Sequence, residues 1–277
     1  MRNGETLFGM DRRRFIVSGT AAISAMRVFA AEPACTLVAE QEEGPYYVPA
    51  AKLRRVLTED KSGVPLRLRV RVVNARTCAP LPQAAFDIWH CDAEGVYSGF
   101  TAMGSGFGPG RAGRPLPDGF RRRGGRGPGQ RKIDATRFLR GVQITDKAGM
   151  VEFETLYPGW YQGRAIHIHL KVHLAGTAQE TYEGGHVCHT GQIFLPEELT
   201  ERIAKMPPYV GNSKVHRTTQ AEDHVFQQQH GAGLIASIER PLKSGKDSDG
   251  FMASITMAVD PEATPARVGF GGGPTGA

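Results

Sequence analysis

Tyr157-Pro158-Gly159-Trp160-Tyr161-Gln162-Gly163-Arg164-Ala165-Ile166-His167-Ile168-His169 is the stretch on which the reading of the whole chain turns. It opens with Pro-Gly, a turn dipeptide in which Pro presets one backbone angle and Gly is free to take the next. From Arg164 to Leu174 the apolar residues Ile166, Ile168, Leu170, Val172 and Leu174 alternate with polar ones, the period of a β-strand. Side chains on a strand point alternately to its two faces. His167 and His169 therefore share one face, and Ile166, Ile168 and Leu170 share the other. A phenol (Tyr161) and a guanidinium (Arg164) arrive from the turn before them. These are groups that could surround a metal and an anionic substrate.

Working outward, the same periodicity predicts further short strands. Leu66 to Val73 alternates with Arg67, Arg69 and Arg71, a half-buried strand with a basic outer face. Ala84 to Asp92 is the next strand, and the two read as a hairpin with a long loop over Asn74 to Gln83. Phe138 to Thr145 and Met150 to Thr155 flank Asp146-Lys147-Ala148-Gly149, a hairpin-type turn. Gly191 to Leu195, Gly233 to Glu239 and Phe251 to Val259 complete the strands. Pro196 to Lys205 starts with Pro and early acids and is the predicted helix. The predicted fold class is all-β: an antiparallel β-sandwich with long loops and one short helix, over residues 35–260. Residues 101–132 interrupt it. They are rich in Gly, Pro and Arg (Arg121, Arg122, Arg123, Arg126) and read as a solvated flexible loop, or else as a basic lid. From Pro261 the chain is again rich in Pro and Gly, a frayed tail.

Composition narrows the function classes. The 277 residues, 40% of them hydrophobic, suffice for one sizeable domain. The N-terminus reads as separate from it. Asp11-Arg12-Arg13-Arg14-Phe15-Ile16, the apolar run to Ala30 and the small-residue spacing of Val28-Phe29-Ala30 resemble a twin-arginine export signal. The plainer alternative is a basic, disordered tail. Residues 1–30 hold five Lys and Arg and two Asp and Glu, leaving 29 basic against 26 acidic residues beyond them. The net charge of +6 thus falls to +3, too little to argue for nucleic acid. No apolar run beyond the signal is long enough to span a bilayer. The expected location is periplasmic or secreted, where disulfides are permitted. Four cysteines (Cys35, Cys78, Cys91, Cys188) allow three pairings. Cys35 with Cys78 is favoured, both in turn-like surroundings, while Cys91 in an apolar strand reads as a buried thiol.

Tyr97, Tyr161, His167 and His169 are the candidate ligands of one metal. Phenolate is a hard anionic ligand that suits trivalent iron, and imidazole suits iron as well. Zinc favours thiolate, imidazole and carboxylate, and no His-Glu-x-x-His motif is present. Taken singly, each of the four has a bland reading: a packed ring with a bonded hydroxyl, or a structural His. Three functions follow: an iron enzyme, a non-catalytic β-sandwich module that binds carbohydrate or a protein partner, and a zinc hydrolase on His167 and His169.

The chain resembles the intradiol ring-cleavage dioxygenases, most closely the exported relatives of the protocatechuate 3,4-dioxygenase β chain, from about Cys35 to Val259. The likeness rests on Glu43-Gly44-Pro45-Tyr46-Tyr47, on Asp87 to Ser98, on Phe138 to Gln143, on Tyr157 to His169 and on His189-Thr190-Gly191-Gln192. It implies a mononuclear non-haem Fe(III) held by Tyr97, Tyr161, His167 and His169, with Tyr161 the ligand that leaves and accepts substrate protons. Arg164 would face the bound catechol and Gln192 would line the pocket. The implied reaction opens a catechol ring between its hydroxylated carbons with O2, giving a cis,cis-muconate-type diacid, as in the catabolism of aromatic compounds. The helical N-terminal linker of the catechol 1,2-dioxygenase branch is absent, and the 101–132 insertion is extra. Substrate identity and oligomeric state therefore stay open, a homodimer being one option.

Overall fold

In the computed structural model the described residues are 35–106, 134–241, 245–266 and 268. The expected export signal, most of the 101–132 loop and the end of the tail lie outside them. The described residues form ten strands: β1 Pro65–Asn74, β2 Ala85–Trp89, β3 Arg140–Ile144, β4 Met150–Leu156, β5 His167–Leu174, β6 Thr177–Ala178, β7 Tyr182–Glu183, β8 His186–Phe194, β9 Ser237–Pro241 and β10 Phe251–Val259. Two short helices, α1 Glu197–Ile203 and α2 His224–Gln228, lie between β8 and β9. The strands make two four-stranded sheets, ordered β4-β1-β10-β9 and β3-β2-β5-β8, and a small β6-β7 ribbon.

The two larger sheets face each other as a β-sandwich. Leu66, Leu68, Val70 and Val72 of β1 and Phe153 of β4 enter one hydrophobic core with Phe86 and Ile88 of β2 and Ile168, Leu170 and Val172 of β5. Burial of each such side chain stabilises the fold by about 1.5–3 kcal/mol. The pairings within the sheets are antiparallel except one: β1 runs parallel to β10 over nine residue pairs, Leu66–Phe251 to Asn74–Val259.

Two expected connections are corrected. β1 and β2 are not a hairpin but lie in opposite sheets. Alternation says which face of a strand is buried, not which strand lies beside it, and here the two apolar faces meet across the core. The Asp146–Gly149 turn likewise carries the chain from β3 in one sheet to β4 in the other. It is a tight turn as expected: the Asp146 carboxylate accepts the Ala148 and Met150 N–H groups, both at 2.8 Å. Gly149 has φ +73, and a Cβ there would lie 2.3 Å from the Val72 carbonyl oxygen. Other bounds move. The expected Gly191 strand begins at His186, and the expected Gly233–Glu239 strand is a 3-10 turn, Gly231–Leu234, followed by β9. α2 is the helix that periodicity missed, being only five residues long.

Cys35 and Cys78 are disulfide-bonded, with Cα atoms 5.5 Å apart, while Cys91 and Cys188 are buried free thiols. The bonded residues are 43 positions apart in sequence. Removing the bond by Cys35→Ser with Cys78→Ser is expected to cost roughly 3–4 kcal/mol by the loop-entropy relation. Denaturant unfolding of variant and wild type measures this, and equal midpoints would refute it. Among the described residues no helix is long and apolar enough to cross a membrane.

β5 is buried on both faces. Its apolar face fills the sandwich. The other, bearing His167, His169, Lys171 and His173, is covered by the arm before β1. That arm is held down by Gln41 N–H on the Thr190 carbonyl (2.9 Å) and by bridges from Lys52 to Thr181 and Leu53 to Val142. The candidate site lies under this cover.

Candidate active site

His167 and His169 do share a face. In register, His169 lies opposite Trp89 on β2 and Gln192 on β8, so Gln192 is on that face as well. The His167 Nδ1–H donates to the Ala165 carbonyl at 2.6 Å, which turns its Nε2 into the site. There it lies 3.0 Å from His169 Nε2. The His169 ring is stacked on Trp89, with centroids 4.9 Å apart and planes 2° from parallel. Gly44 closes in from the arm. It has φ +69, and a Cβ would stand 3.0 Å from His169 Cε1, so no side chain fits without pushing the imidazole aside. Burial lowers the basicity of both histidines, and Arg164 lowers that of His167 further. Both are neutral imidazoles at neutral pH, each with a lone pair to offer.

The two tyrosines come from loops. Tyr161, on the turn before β5, places its hydroxyl 3.3 Å from His167 Nε2. Tyr97, in the loop after β2, lies edge-on to Tyr161 (5.7 Å between centroids) and 6.2 Å from the His169 ring. Its hydroxyl is electrostatically coupled to that of Tyr161 but, buried, makes no hydrogen bond of normal geometry. Tyr46 of the arm stacks on Tyr97 at 4.2 Å and meets Phe100 edge-on at 5.3 Å. Burial raises both the Tyr97 and the Tyr161 phenol well above their ordinary range, so without a nearby cation both keep their protons.

These residues fit a metal. Two neutral imidazole nitrogens 3.0 Å apart have the spacing of adjacent ligands meeting near a right angle on bonds of about 2.1 Å. A buried phenol beside them that lacks a hydrogen bond of normal geometry has an oxygen free to act as a ligand. Among the described residues no group of three or more His, Cys, Asp or Glu could hold a metal, so this set depends on its tyrosines.

Arg164 sits behind the quartet, buried, with every nitrogen engaged. Its Nε–H donates to both oxygens of Asp223 (3.1 and 3.2 Å), Nη1 reaches Glu42 Oε1 at 3.4 Å, and Nη2 donates to the Gln192 side-chain oxygen. The Gln192 amide also donates to the Glu42 carbonyl at 2.9 Å, so it ties Arg164 to the arm. Burial alone would raise Asp223, but Arg164 and His167 outweigh it and hold the carboxyl below its usual range. Burial raises Glu42, whose Oε2 has no partner. Tyr157 has its hydroxyl against Thr200 and its ring in the core.

All six predicted site residues are thus brought together. Asp223, Glu42, Trp89 and Gly44 also touch this set, and the sequence does not single them out for it. Asp223 precedes a helix too short to show a period. Glu42 and Gly44 lie in an arm whose tertiary placement no local pattern reveals.

A solved structure of an intradiol ring-cleavage dioxygenase from Tetranychus urticae is 31% identical to the chain, and the match covers 84% of this chain and 98% of that one with a TM-score of 0.66. The chain belongs to the intradiol ring-cleavage dioxygenases. A second solved dioxygenase matches the chain equally, at 31% identity and TM-score 0.66, over 83% of this chain and 98% of that one. The dioxygenase domain of a carbohydrate-binding fusion from Streptomyces sp. SirexAA-E is more distant, at 22% identity and TM-score 0.49, over 81% and 99%. No protein-family model and no curated protein matches the chain.

Proposed function

We propose that this protein binds one non-haem Fe(III) through Tyr97, Tyr161, His167 and His169 and uses O2 to open a catechol-type ring between its two hydroxylated carbons. The product is a cis,cis-muconate-type diacid that retains both oxygen atoms. The observation that carries the reading is the convergence of two neutral imidazoles and two buried phenols, one of them without a normal hydrogen bond, beside a buried arginine. Fe(III), when bound, supplies Lewis acidity that draws electron density from a bound catechol. The chain supplies the rest. The Tyr161 phenolic oxygen, beside His167 Nε2, would be deprotonated as an iron ligand and is the atom assigned to take a catechol proton. The guanidinium of Arg164 offers fixed positive charge where negative charge builds on the ring, in a site of low dielectric where such charge counts most. Tyr46, Trp89, Tyr97 and Phe100 wall the site with aromatic surface and exclude water.

Residues 1–30 are assigned as a twin-arginine signal for export to the periplasm or beyond, and the Cys35–Cys78 bond suits an oxidising compartment. Residues 35–260 are assigned as the catalytic domain.

The test is O2 uptake by the iron-loaded protein over a panel of catechols, with metal analysis and a visible spectrum before and after anaerobic catechol. One O2 consumed per catechol, one iron per chain and a burgundy tyrosinate-to-iron charge-transfer band are expected. Iron-loaded protein that is colourless and consumes no O2 with any catechol would leave the binding-module reading in its place. Native protein loaded with zinc alone would leave the hydrolase reading.

A further inference from the structure

Asp223 makes more contacts with the site than a helix cap requires. Its carboxylate, fully buried, takes the N–H groups of Val225 (2.8 Å) and Phe226 (3.4 Å) at the start of α2 through Oδ1. Through Oδ2 it takes the Ala165 N–H at 2.9 Å, and both oxygens take the Arg164 Nε–H. The Ala165 carbonyl in turn accepts the Nδ1–H of His167. One carboxylate, 59 residues away in sequence, thus grips both the side chain of Arg164 and the backbone of Ala165, the two residues that lead towards β5.

We propose that Asp223 is a positioning residue: it fixes the plane of the Arg164 guanidinium and, through Ala165, the ring orientation of His167. The proposal rests on the dioxygenase reading for its kinetic consequence but not for its geometry. A helix cap alone would not need the charge, because Asn caps a helix as well as Asp does. Arg164, by contrast, needs it. Glu42 and Gln192 engage only the terminal nitrogens, and the Nε–H tether is what stops the fork from pivoting about the bonds of its stem. Outer partners of this kind orient the groups that do the chemistry, and their loss typically costs about 10- to 100-fold in activity or metal affinity.

Asp223→Asn is the discriminating variant, since it keeps size, cap and one acceptor oxygen. In ¹⁵N-labelled metal-free protein the Arg164 Nε–H is expected to exchange slowly with solvent in wild type and at least about tenfold faster in D223N, with the amide spectrum otherwise retained. In iron-loaded protein kcat/KM is expected to fall about 10- to 100-fold in D223N. In an Arg164→Ala background the same change should cost clearly less than in wild type, only the share that acts through Ala165 and His167 remaining, because residues that act through one another are not additive. Unaltered Arg164 exchange in D223N, or an undiminished drop in the Arg164→Ala background, overturns the proposal. A wild type that turns over no catechol defeats the dioxygenase reading instead, and the exchange measurement still decides whether Asp223 holds Arg164.

Discussion

Tyr97→Phe is expected to leave the metal-free protein as stable as wild type, or more stable, while removing the charge-transfer colour or shifting it strongly and reducing turnover severely. The two halves come from one atom. The Tyr97 hydroxyl is buried and lacks a hydrogen bond of normal geometry. An unsatisfied buried polar group costs about 1–3 kcal/mol, and Phe keeps the ring that stacks on Tyr46. A purely structural Tyr would show the opposite sign, since its replacement breaks a bond. In the proposed ligand set the lost atom is one of four donors to iron and one of two that would carry negative charge, so the metal should be held more weakly and its tyrosinate band should change. Denaturant unfolding of the metal-free proteins, iron content after dialysis and the visible spectrum check each part. A Tyr97→Phe variant with wild-type colour and turnover would remove Tyr97 from the site and with it the proposed ligand set.

Arg164→Ala is expected to keep the iron colour and lose roughly two orders of magnitude or more in turnover, the scale for removing one preorganised charge-stabilising donor. None of the four proposed ligands is removed, so the colour should persist. Stability is a separate matter. Asp223 is fully buried, and deleting its partner leaves a carboxylate without its counter-charge, a loss of about 3–5 kcal/mol in comparable pairs. Arg164→Lys is therefore the companion variant. It keeps the charge without the planar fork and should fold better, yet still fall well short of wild-type kcat. Activity equal to wild type in either variant would take Arg164 out of the reaction. Iron content and kcat measured on the same preparations separate a lost metal from a lost donor.

Much of the candidate site's geometry was legible because it sits on a strand with a plain period. Ile166, Ile168 and Leu170 mark the core face, so His167 and His169 had to look the other way together. Nothing local, however, says that this other face is covered too. That depends on the arm from Gln41 to Leu53, whose contacts on Thr190, Val142 and Thr181 join residues far apart in sequence. The arm brings Gly44 over His169 and Tyr46 onto Tyr97, and with it Glu42 onto Arg164. Pairing partners were illegible for a similar reason. Val70 shows by alternation that it is buried, but its neighbours Ile255 and Val151 are chosen by the packing of whole sheets. Asp223 could be read as a cap but not as the anchor of an arginine 59 residues earlier.

The parallel pairing of β1 with β10 sets an order in which the chain can be completed at the ribosome. By Phe194 all four strands of the site-bearing sheet have been synthesised, and they can pair by antiparallel neighbours. The opposite sheet then holds only β1 and β4, with one long edge of β1 still open. Its partner does not exist until Val259 has emerged, and such distant pairings form late because the intervening loop must be closed first. A nascent or truncated chain that stops short of β10 therefore presents an unpaired strand edge whose leucines and valines alternate with arginines, with open backbone groups of the kind that draw chains into aggregates.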